Sequence, residues 1–223
     1  MPSRDDATVQ FMRASFDGFM AGRGTYMLSW LGHETIKYPT DLMMYQELIC
    51  RRRPALIVET GSFKGGSALF LASVCDLIGV GEVISIDVRN DERRTVLPVH
   101  PRLTFLAGSS TAPEMVQAVH DRAAALGPDA EVMVILDSDH RLLHVLAELE
   151  AYAGLVRPGG YLIVEDGHVN GRPNWPDYGP GPSEAIAFFL PRHPEFEVDP
   201  TCERFMMTLN PGGYLRRRDD PAP

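Results

Sequence analysis

The chain has 223 residues, an apolar fraction of 44% and a formal net charge of −9. Its length and composition predict one globular domain over residues 1–223 with a core of ordinary size. The excess of acidic residues argues against a nucleic-acid partner, and no apolar run approaches the length of a membrane-spanning helix.

The N-terminus and the cysteines indicate a cytoplasmic location. Residues 1–6 are mostly polar and lack the apolar core of a signal peptide. The three cysteines, Cys50, Cys75 and Cys202, lie far apart and form no C-x-x-C pair. We therefore expect three buried free thiols in a reducing compartment.

The first 50 residues are predicted to form a helical cap beside a substrate site. An apolar stripe at helical spacing predicts a helix over residues 7–20. Residues 30–39 are loop-like. A second helix is expected to begin at Asp41, a residue type that often caps helix N-termini.

The rest of the chain alternates predicted strands and helices. Apolar runs predict strands over residues 56–59, 83–87, 103–106, 132–137 and 161–165. Helices are predicted over residues 67–77, 113–125, 142–152 and 183–190. Repeated strand–helix units with continuous apolar strands predict an α/β fold, with a mostly parallel sheet covered by helices on both faces.

Two further strands are expected to complete a seven-stranded sheet. They are predicted near Phe196 and over residues 205–209, as a hairpin-like pair at one edge. Residues 216–220 are predicted to form a solvated charged tail.

A glycine-rich turn follows the first predicted strand of the sheet. The strand ends at Glu59, and Gly61, Gly65 and Gly66 lead into a helix. Glycines let the backbone approach a ligand closely, and free N–H groups at a helix N-terminus attract an anionic group. The next strand ends at Asp87, where a carboxylate can accept hydrogen bonds from ribose hydroxyls. We therefore expect a nucleoside-containing cofactor at the carboxyl ends of these strands.

The spacing of this turn favours S-adenosylmethionine. Neither the dinucleotide pattern G-x-G-x-x-G nor the phosphate-binding pattern G-x-x-x-x-G-K-[ST] occurs here. Glu59 would repel a pyrophosphate but attract the ammonium group of S-adenosylmethionine. The alternative is an ordinary strand–helix turn that binds no ligand.

The cofactor is expected to lie along the whole edge of the sheet. Its methionine end would lie over residues 61–67, its ribose on Asp87, and its adenine near Ser109 or Ser110. The residues predicted to bind it are Glu59, Gly61, Ser62, Ser67, Asp87, Ser109, Ser110 and Asp137.

A second group of acidic residues follows the next two strands. Asp137 and Asp139 come at the end of one strand, and Glu165 and Asp166 come at the end of the next. In a parallel sheet these ends lie on the same edge as the cofactor turn. Because the carboxylates would repel one another, we expect a hard divalent cation, Mg²⁺, between them. Capping of the following helices is the alternative.

A set of ordered motifs carries a family resemblance. The motifs are Asp41-Leu42 with Tyr45-Gln46-Glu47, Val58-Glu59-Thr60-Gly61, Gly65-Gly66-Ser67-Ala68, Gly108-Ser109-Ser110-Thr111, Leu136-Asp137-Ser138-Asp139-His140, Val164-Glu165-Asp166 and Gly179-Pro180-Gly181-Pro182. The segment from about residue 30 to residue 214 thereby resembles the cephalosporin hydroxylase-like family. Its members are similar to S-adenosylmethionine-dependent, metal-assisted O-methyltransferases, including macrolide-sugar and catechol-type enzymes. The resemblance implies a Rossmann-like class I methyltransferase fold.

The resemblance also implies roles for individual residues. Asp137, Glu165 and Asp166 correspond to the metal ligands and His140 to the general base. The base is a lysine in the catechol-type enzymes and a histidine in the macrolide-sugar enzymes. Asp139 or a nearby carboxylate is expected to orient His140, and Asp139 is also an alternative metal ligand on its strand.

The segment over residues 167–182 is predicted to be a lid over the acceptor. Loops of this length inside a compact domain are usually functional, although a rigid proline-rich surface loop is the alternative. Trp175 and Tyr178 offer flat faces to a sugar or an aromatic ring. His168, at the start of the segment, is an alternative base.

The predicted activity is methyl transfer from S-adenosylmethionine to a small-molecule hydroxyl, such as that of a sugar or an antibiotic-type natural product. The resemblance further implies a homo-oligomer. A metal-dependent hydrolase could use the same acidic residues, and an iron oxygenase could use His140 and His168 with a carboxylate. A non-catalytic adenosyl-binding module is the third alternative.

Overall fold

The computed structural model describes residues 6–21, 28–88 and 96–219. Helix α1 spans Asp6–Ala21, close to the predicted bounds. Strands β1 (Leu28–Trp30) and β2 (His33–Thr35) then form an antiparallel hairpin. The prediction of a loop was therefore wrong for this segment. Leu31 and Gly32 both have positive φ in the two-residue turn, and leucine is not a residue type that signals such a turn.

Helix α2 spans Pro39–Arg52, so it begins before Asp41. The prediction that Asp41 caps this helix was wrong. Its buried carboxylate instead accepts hydrogen bonds from the Thr208 hydroxyl, the Leu209 backbone N–H and the Tyr214 hydroxyl. Asp41 thus joins α2 to the C-terminal part of the chain.

Seven strands and four further α-helices follow in the described residues. The strands are β3 (Leu56–Thr60), β4 (Glu82–Asp87), β5 (Leu103–Ala107), β6 (Val132–Leu136), β7 (Tyr161–Val164), β8 (Phe196–Val198) and β9 (Tyr214–Arg217). The helices are α3 (Gly66–Ile78), α4 (Pro113–Ala125), α5 (Leu142–Tyr152) and α6 (Pro182–Phe189).

The seven strands form one sheet in the order β5-β4-β3-β6-β7-β9-β8. Strands β3 to β7 pair in parallel, and β9 runs antiparallel to both of its neighbours. This confirms the predicted mostly parallel, seven-stranded sheet. The carboxyl ends of β3, β4, β6 and β7 lie along one edge of the sheet. This edge therefore carries both the glycine-rich turn and the acidic residues that the sequence analysis identified.

The last strand lies further along the chain than predicted. Residues 205–209 form turns and irregular backbone, and the strand is β9. Arg216 and Arg217 belong to β9, so the prediction of a solvated tail was wrong for these two residues. Asp220 lies outside the described residues. β9 is the inserted strand that separates β7 from β8, and its arginines bind Asp219, Glu197 and the Val156 carbonyl oxygen.

Helices cover both faces of the sheet. Val58 and Leu136 pack on one face with residues of α4, α5 and α6. Ile57 and Ile135 pack on the other face with residues of α2 and α3. Successive strand residues face opposite sides, which is why continuous apolar strands fill two separate cores.

Two other expectations concern the surface. Among the helices that the structure describes, none is long and apolar enough to cross a membrane. Cys75 and Cys202 are buried as expected, but Cys50 is exposed. The prediction of three buried thiols was therefore wrong for Cys50, which lies near the end of α2.

Candidate active site

Gly61 joins the turn after β3 to the end of β6. It has a φ of +88°, a backbone conformation that side chains disfavour. A Cβ at this position would lie 1.9 Å from the backbone oxygen of Asp137 and 3.1 Å from the Cα of Ser138. Glycine is therefore required for the turn to pack against the end of β6. This packing places the glycine-rich turn beside the acidic residues that follow β6.

Glu59 lies beneath the turn and is fully buried. Its Oε2 accepts a hydrogen bond from Ser85 Oγ at 2.5 Å, and Ser67 also hydrogen-bonds to it. Ser62 Oγ lies 2.7 Å from Ser85 Oγ. Burial raises the pKa of Glu59 above its ordinary value. Glu59 thus fixes the serines of the turn, while its direct contact with a cofactor stays a prediction.

Asp87 lies beside the same turn, at the end of β4. Its Oδ2 accepts a hydrogen bond from the Phe63 backbone N–H at 2.9 Å. Its backbone oxygen accepts one from the Gly108 N–H at 3.0 Å. These contacts hold the Asp87 carboxylate between the glycine turn and the end of β5, where a ribose was predicted.

An open cleft of about 1440 Å³ runs from this turn to the acidic residues. The predicted site residues that line it are Gly61, Ser62, Ser67, Asp87, Ser109, Ser110, Asp137, Asp139, His140 and Asp166. Glu59 and Glu165 are buried and lie outside this lining. The structure thus brings most of the predicted cofactor and metal residues to one cleft.

Three predicted ligand or base residues form a compact group in the cleft. Asp137, His140 and Asp166 each offer a ligand atom, and these atoms all lie within 4.8 Å of one another. Asp166 has a φ of +54°, so the chain leaves strand geometry directly after β7. This bend turns Asp166 toward β6, although an extended backbone would point Glu165 and Asp166 to opposite faces.

Lys37 is a residue of this site that the sequence analysis missed. Its side chain is 2% exposed, and its Nζ donates to Asp137 Oδ2 and, at 2.7 Å, to Glu165 Oε1. Burial works to lower the pKa of Lys37, but Asp137 and Glu165 outweigh it and raise the pKa. A single lysine in a loop-like segment carries no signal for this role, because both partners lie far along the chain.

Glu165 is held behind the cleft. Its Oε1 accepts hydrogen bonds from Lys37 and, at 2.8 Å, from the Tyr45 hydroxyl. Burial and the nearby Asp137 raise the pKa of Glu165 well above its ordinary value. Within the described residues, Glu165 does not join the group within 4.8 Å, so its role as a metal ligand stays a prediction.

Two histidines hold the carboxylate of Asp166. His140 Nε2 lies 3.0 Å from Asp166 Oδ2, and His168 Nε2 lies 3.0 Å from Asp166 Oδ1. Burial works to raise the pKa of Asp166, but His140 and His168 hold it well below its ordinary range. Burial works to lower the pKa of His140, but Asp166, Asp137 and Glu165 raise it to about 9.

Of the two alternatives for orienting His140, Asp139 or a nearby carboxylate, Asp139 makes a different contact. Its Oδ1 accepts a hydrogen bond from the Arg141 backbone N–H at 3.1 Å, and its side chain is 43% exposed. The carboxylate that contacts His140 is that of Asp166. The structure therefore does not bring Asp139 to His140 by a hydrogen bond.

The segment over 167–182 forms an aromatic wall beside Asp137, Glu165 and Asp166, which we call the acidic group. Trp175 and Tyr178 stack with ring centroids 6.2 Å apart, and both are partly exposed. Trp175 also packs on His168 and on Phe16 of α1. Arg13 Nη2 donates to the Pro173 carbonyl at 2.9 Å. Helix α1 and this segment therefore form one side of the cleft together.

Comparison with known proteins identifies the family. Residues 23–218 match the family model described as rhamnosyl O-methyltransferase/CmcI. The chain is 35% identical over 193 residues to a rhamnosyl O-methyltransferase of Mycobacterium leprae, which covers 85% of this chain and 83% of that protein. The chain belongs to the rhamnosyl O-methyltransferase/CmcI family.

Solved structures agree with this assignment at the level of fold. A CmcI apo-structure covers 86% of this chain and 76% of its own, with 22% identity and a TM-score of 0.65. A CmcI structure with Mg and S-adenosylmethionine covers 85% and 76%, with 22% identity and a TM-score of 0.62. The predicted family resemblance and class I methyltransferase fold are confirmed. The protein is an S-adenosylmethionine-dependent O-methyltransferase.

Proposed function

We propose that this protein transfers the methyl group of S-adenosylmethionine to a sugar hydroxyl of a natural product, with the help of Mg²⁺. The observation that carries the proposal is the packing of Gly61 on the backbone of Asp137. Because of this contact, the cofactor turn and the acidic group open into the same cleft. A methyl donor and a hydroxyl acceptor could therefore meet between them.

The proposed cofactor placement follows the lining of the cleft. The methionine end would lie at Ser62 and Ser67. The buried Glu59 holds Ser67 by a direct hydrogen bond and holds Ser62 through Ser85. The ribose hydroxyls would donate to Asp87, which is held beside the turn. Ser109 and Ser110 line the same cleft after β5 and would lie at the adenine end.

The acidic group has the chemistry that Mg²⁺ requires. Mg²⁺ prefers oxygen ligands and leaves positions open for water or substrate oxygens. Asp137 and Asp166 offer carboxylate oxygens on the cleft wall. We propose that they hold the metal, with Glu165 as the third ligand that the family resemblance implies. Lys37 offsets part of the negative charge behind them.

His140 is proposed to accept the proton of the acceptor hydroxyl, and Asp166 holds its ring in place. Without a bound cation, the neighbouring carboxylates raise the pKa of His140 to about 9, which would keep its imidazole protonated at neutral pH. Mg²⁺, when bound, would supply positive charge that polarises the hydroxyl and offsets these carboxylates. His140 would then be neutral and able to accept a proton.

The proposed acceptor is a sugar. The stacked faces of Trp175 and Tyr178 stand beside the acidic group, and flat aromatic faces suit the apolar faces of sugar rings. The segment over 167–182 would then close over the acceptor as a lid. The relative from Mycobacterium leprae is described as a rhamnosyl O-methyltransferase, which favours a deoxysugar of that kind.

The experiment is methyl transfer to p-nitrophenyl α-L-rhamnoside, with catechol as the comparison acceptor. S-adenosylhomocysteine release is measured with Mg²⁺, with EDTA, and with EDTA followed by excess Mg²⁺. We expect turnover of the rhamnoside that EDTA abolishes and Mg²⁺ restores. Full turnover in EDTA would contradict the metal, and turnover of catechol alone would contradict the sugar acceptor.

Two further expectations remain proposals. Homo-oligomerisation is implied by the family resemblance and is measurable by light scattering. A cytoplasmic location is likewise a proposal, and cell fractionation would test it.

A further inference from the structure

Four polar side chains form a hydrogen-bonded group, and only Ser110 among them has a place in the proposed function. Ser110 follows β5, Ser138 follows β6, and His144 and Glu148 lie on α5. Strands β4 and β3 separate β5 from β6 in the sheet. Both serines nevertheless bind one carboxylate oxygen: Ser110 Oγ lies 2.5 Å and Ser138 Oγ 2.7 Å from Glu148 Oε1. We call these four residues the Glu148 network.

The chemistry of Glu148 fixes the direction of these hydrogen bonds. Glu148 is fully buried, and its Oε1 accepts a hydrogen bond from each serine hydroxyl. A serine hydroxyl has a single hydrogen, so Ser110 and Ser138 both give theirs to Glu148. Their hydrogens therefore point away from the cleft and into the protein.

His144 favours the same orientation of the two serine hydroxyl groups. Its Nε2 lies 3.1 Å from Ser110 Oγ and 3.0 Å from Ser138 Oγ. Because both hydroxyl hydrogens are already directed at Glu148, Nε2 can bind these oxygens only as an N–H donor. The hydrogen bond to Glu148 also raises the pKa of His144, which favours protonation of the ring.

The serine oxygens consequently present only acceptors to the cleft. A hydroxyl oxygen has two lone pairs, and the shared N–H of His144 occupies at most one on each serine. Ser110, Ser138 and His144 all line the cleft. A ligand group at this wall thus meets lone pairs of Ser110 and Ser138 and no hydroxyl hydrogen from either residue.

We propose that the Glu148 network recognises the 6-amino group of the cofactor's adenine and discriminates against a purine with an oxygen at that position. The amino group is a hydrogen-bond donor and complements the two serine oxygens, whereas a 6-oxo group would place an acceptor against acceptors. This proposal rests on the proposed cofactor placement, which puts the adenine near Ser110 after β5. The shared contact with Glu148 Oε1 brings Ser138 to the same wall of the cleft. Glu148 is then a positioning residue, since it acts through the serines.

The test compares S-adenosylhomocysteine with S-inosylhomocysteine, its 6-oxo analogue, by calorimetry. We expect the wild-type protein to bind the adenosyl compound about tenfold or more tightly, because a buried acceptor left facing another acceptor is unfavourable. Glu148→Gln keeps the shape of the side chain, but its amide can donate to a serine and free a hydroxyl hydrogen. The preference should then shrink to about threefold or less.

Glu150→Gln is the matched control on the same helix. Glu150 is 44% exposed and binds Arg192 and His193 at the surface, so this variant should keep the wild-type preference. A Glu148→Gln protein that melts like the wild type and keeps the full preference would overturn the proposal.

Ser138→Ala provides the test if Glu148→Gln does not fold. Removing one acceptor should weaken binding of the adenosyl compound and leave binding of the inosyl compound nearly unchanged. Equal losses for both compounds would overturn the proposal. Equal wild-type affinities for the two compounds would overturn this inference alone, whereas no binding of S-adenosylhomocysteine would overturn the proposed function as well.

Discussion

The two ends of the cleft are assembled in different ways. At the cofactor turn, Ser85 and Glu59 are 26 positions apart in the chain, and Asp87 and Phe63 are 24 apart. In the acidic group, Lys37 and Glu165 are 128 positions apart. The turn is therefore built within one strand–helix–strand unit, while the acidic group depends on segments that meet only in the folded protein.

The charges of the two ends differ as well. The turn is made of glycine backbone and serine hydroxyls over one buried carboxylate, Glu59. The acidic group consists of the carboxylates of Asp137, Glu165 and Asp166, which pair with Lys37 and His140. Substitutions in the acidic group should therefore have the larger effects, because a buried charge without its partner is more costly than a lost neutral hydrogen bond.

The largest expected effect is on turnover in His140→Gln. If His140 accepts the hydroxyl proton, turnover at saturating Mg²⁺ should fall roughly 10²–10⁴-fold. Calorimetry should show nearly unchanged binding of S-adenosylmethionine and Mg²⁺. His120→Gln is the control, since His120 binds the Ala151 carbonyl away from the cleft. Turnover within a few fold of wild type in His140→Gln would mean that metal activation alone suffices.

Lys37→Met should destabilise the protein. Removing this buried ammonium leaves Asp137 and Glu165 uncompensated, which typically costs about 3–5 kcal/mol in the free energy of unfolding. Urea unfolding in EDTA measures this loss. In Mg²⁺ the loss should be smaller, because the metal supplies the missing positive charge.

Lys64→Met is the matched control for Lys37. Lys64 pairs with Glu34 but is 37% exposed, so its loss should cost less than about 1 kcal/mol. Similar losses for the two variants would contradict the view that the acidic group depends on a buried counter-charge.

Asp87→Ala should have the smallest effect of the three substitutions. It tests the cofactor end of the cleft alone, through the affinity for S-adenosylmethionine. Loss of the hydrogen bonds from the ribose should weaken S-adenosylmethionine binding by roughly 1–3 kcal/mol, as measured by calorimetry. Asp76→Ala is the control, because Asp76 lies at the surface on Arg102. Unchanged affinity in Asp87→Ala would contradict the cofactor placement.

The sequence predicted most elements of the sheet because their signals are local. Buried parallel strands are continuous apolar runs, and the bounds of α4 and α5 agree with the helical pattern. The errors lie where the signal is weak or misleading. β9 is short and ends in two arginines, whereas the mostly apolar residues 205–209 form irregular backbone beside Asp41.

By itself, the sequence determined the fold class, the family and the candidate cofactor turn, because glycine spacing, strand ends and ordered motifs are properties of neighbouring residues. Only the tertiary structure decided which side chains face one another. It placed Lys37 between Asp137 and Glu165, and Asp166 rather than Asp139 against His140. It also placed Glu148 beneath two serines that follow separate strands. Such contacts arise when segments that are distant in the chain pack together. The partner of a buried charge is therefore the group nearest to it in the folded protein, whatever their separation along the chain.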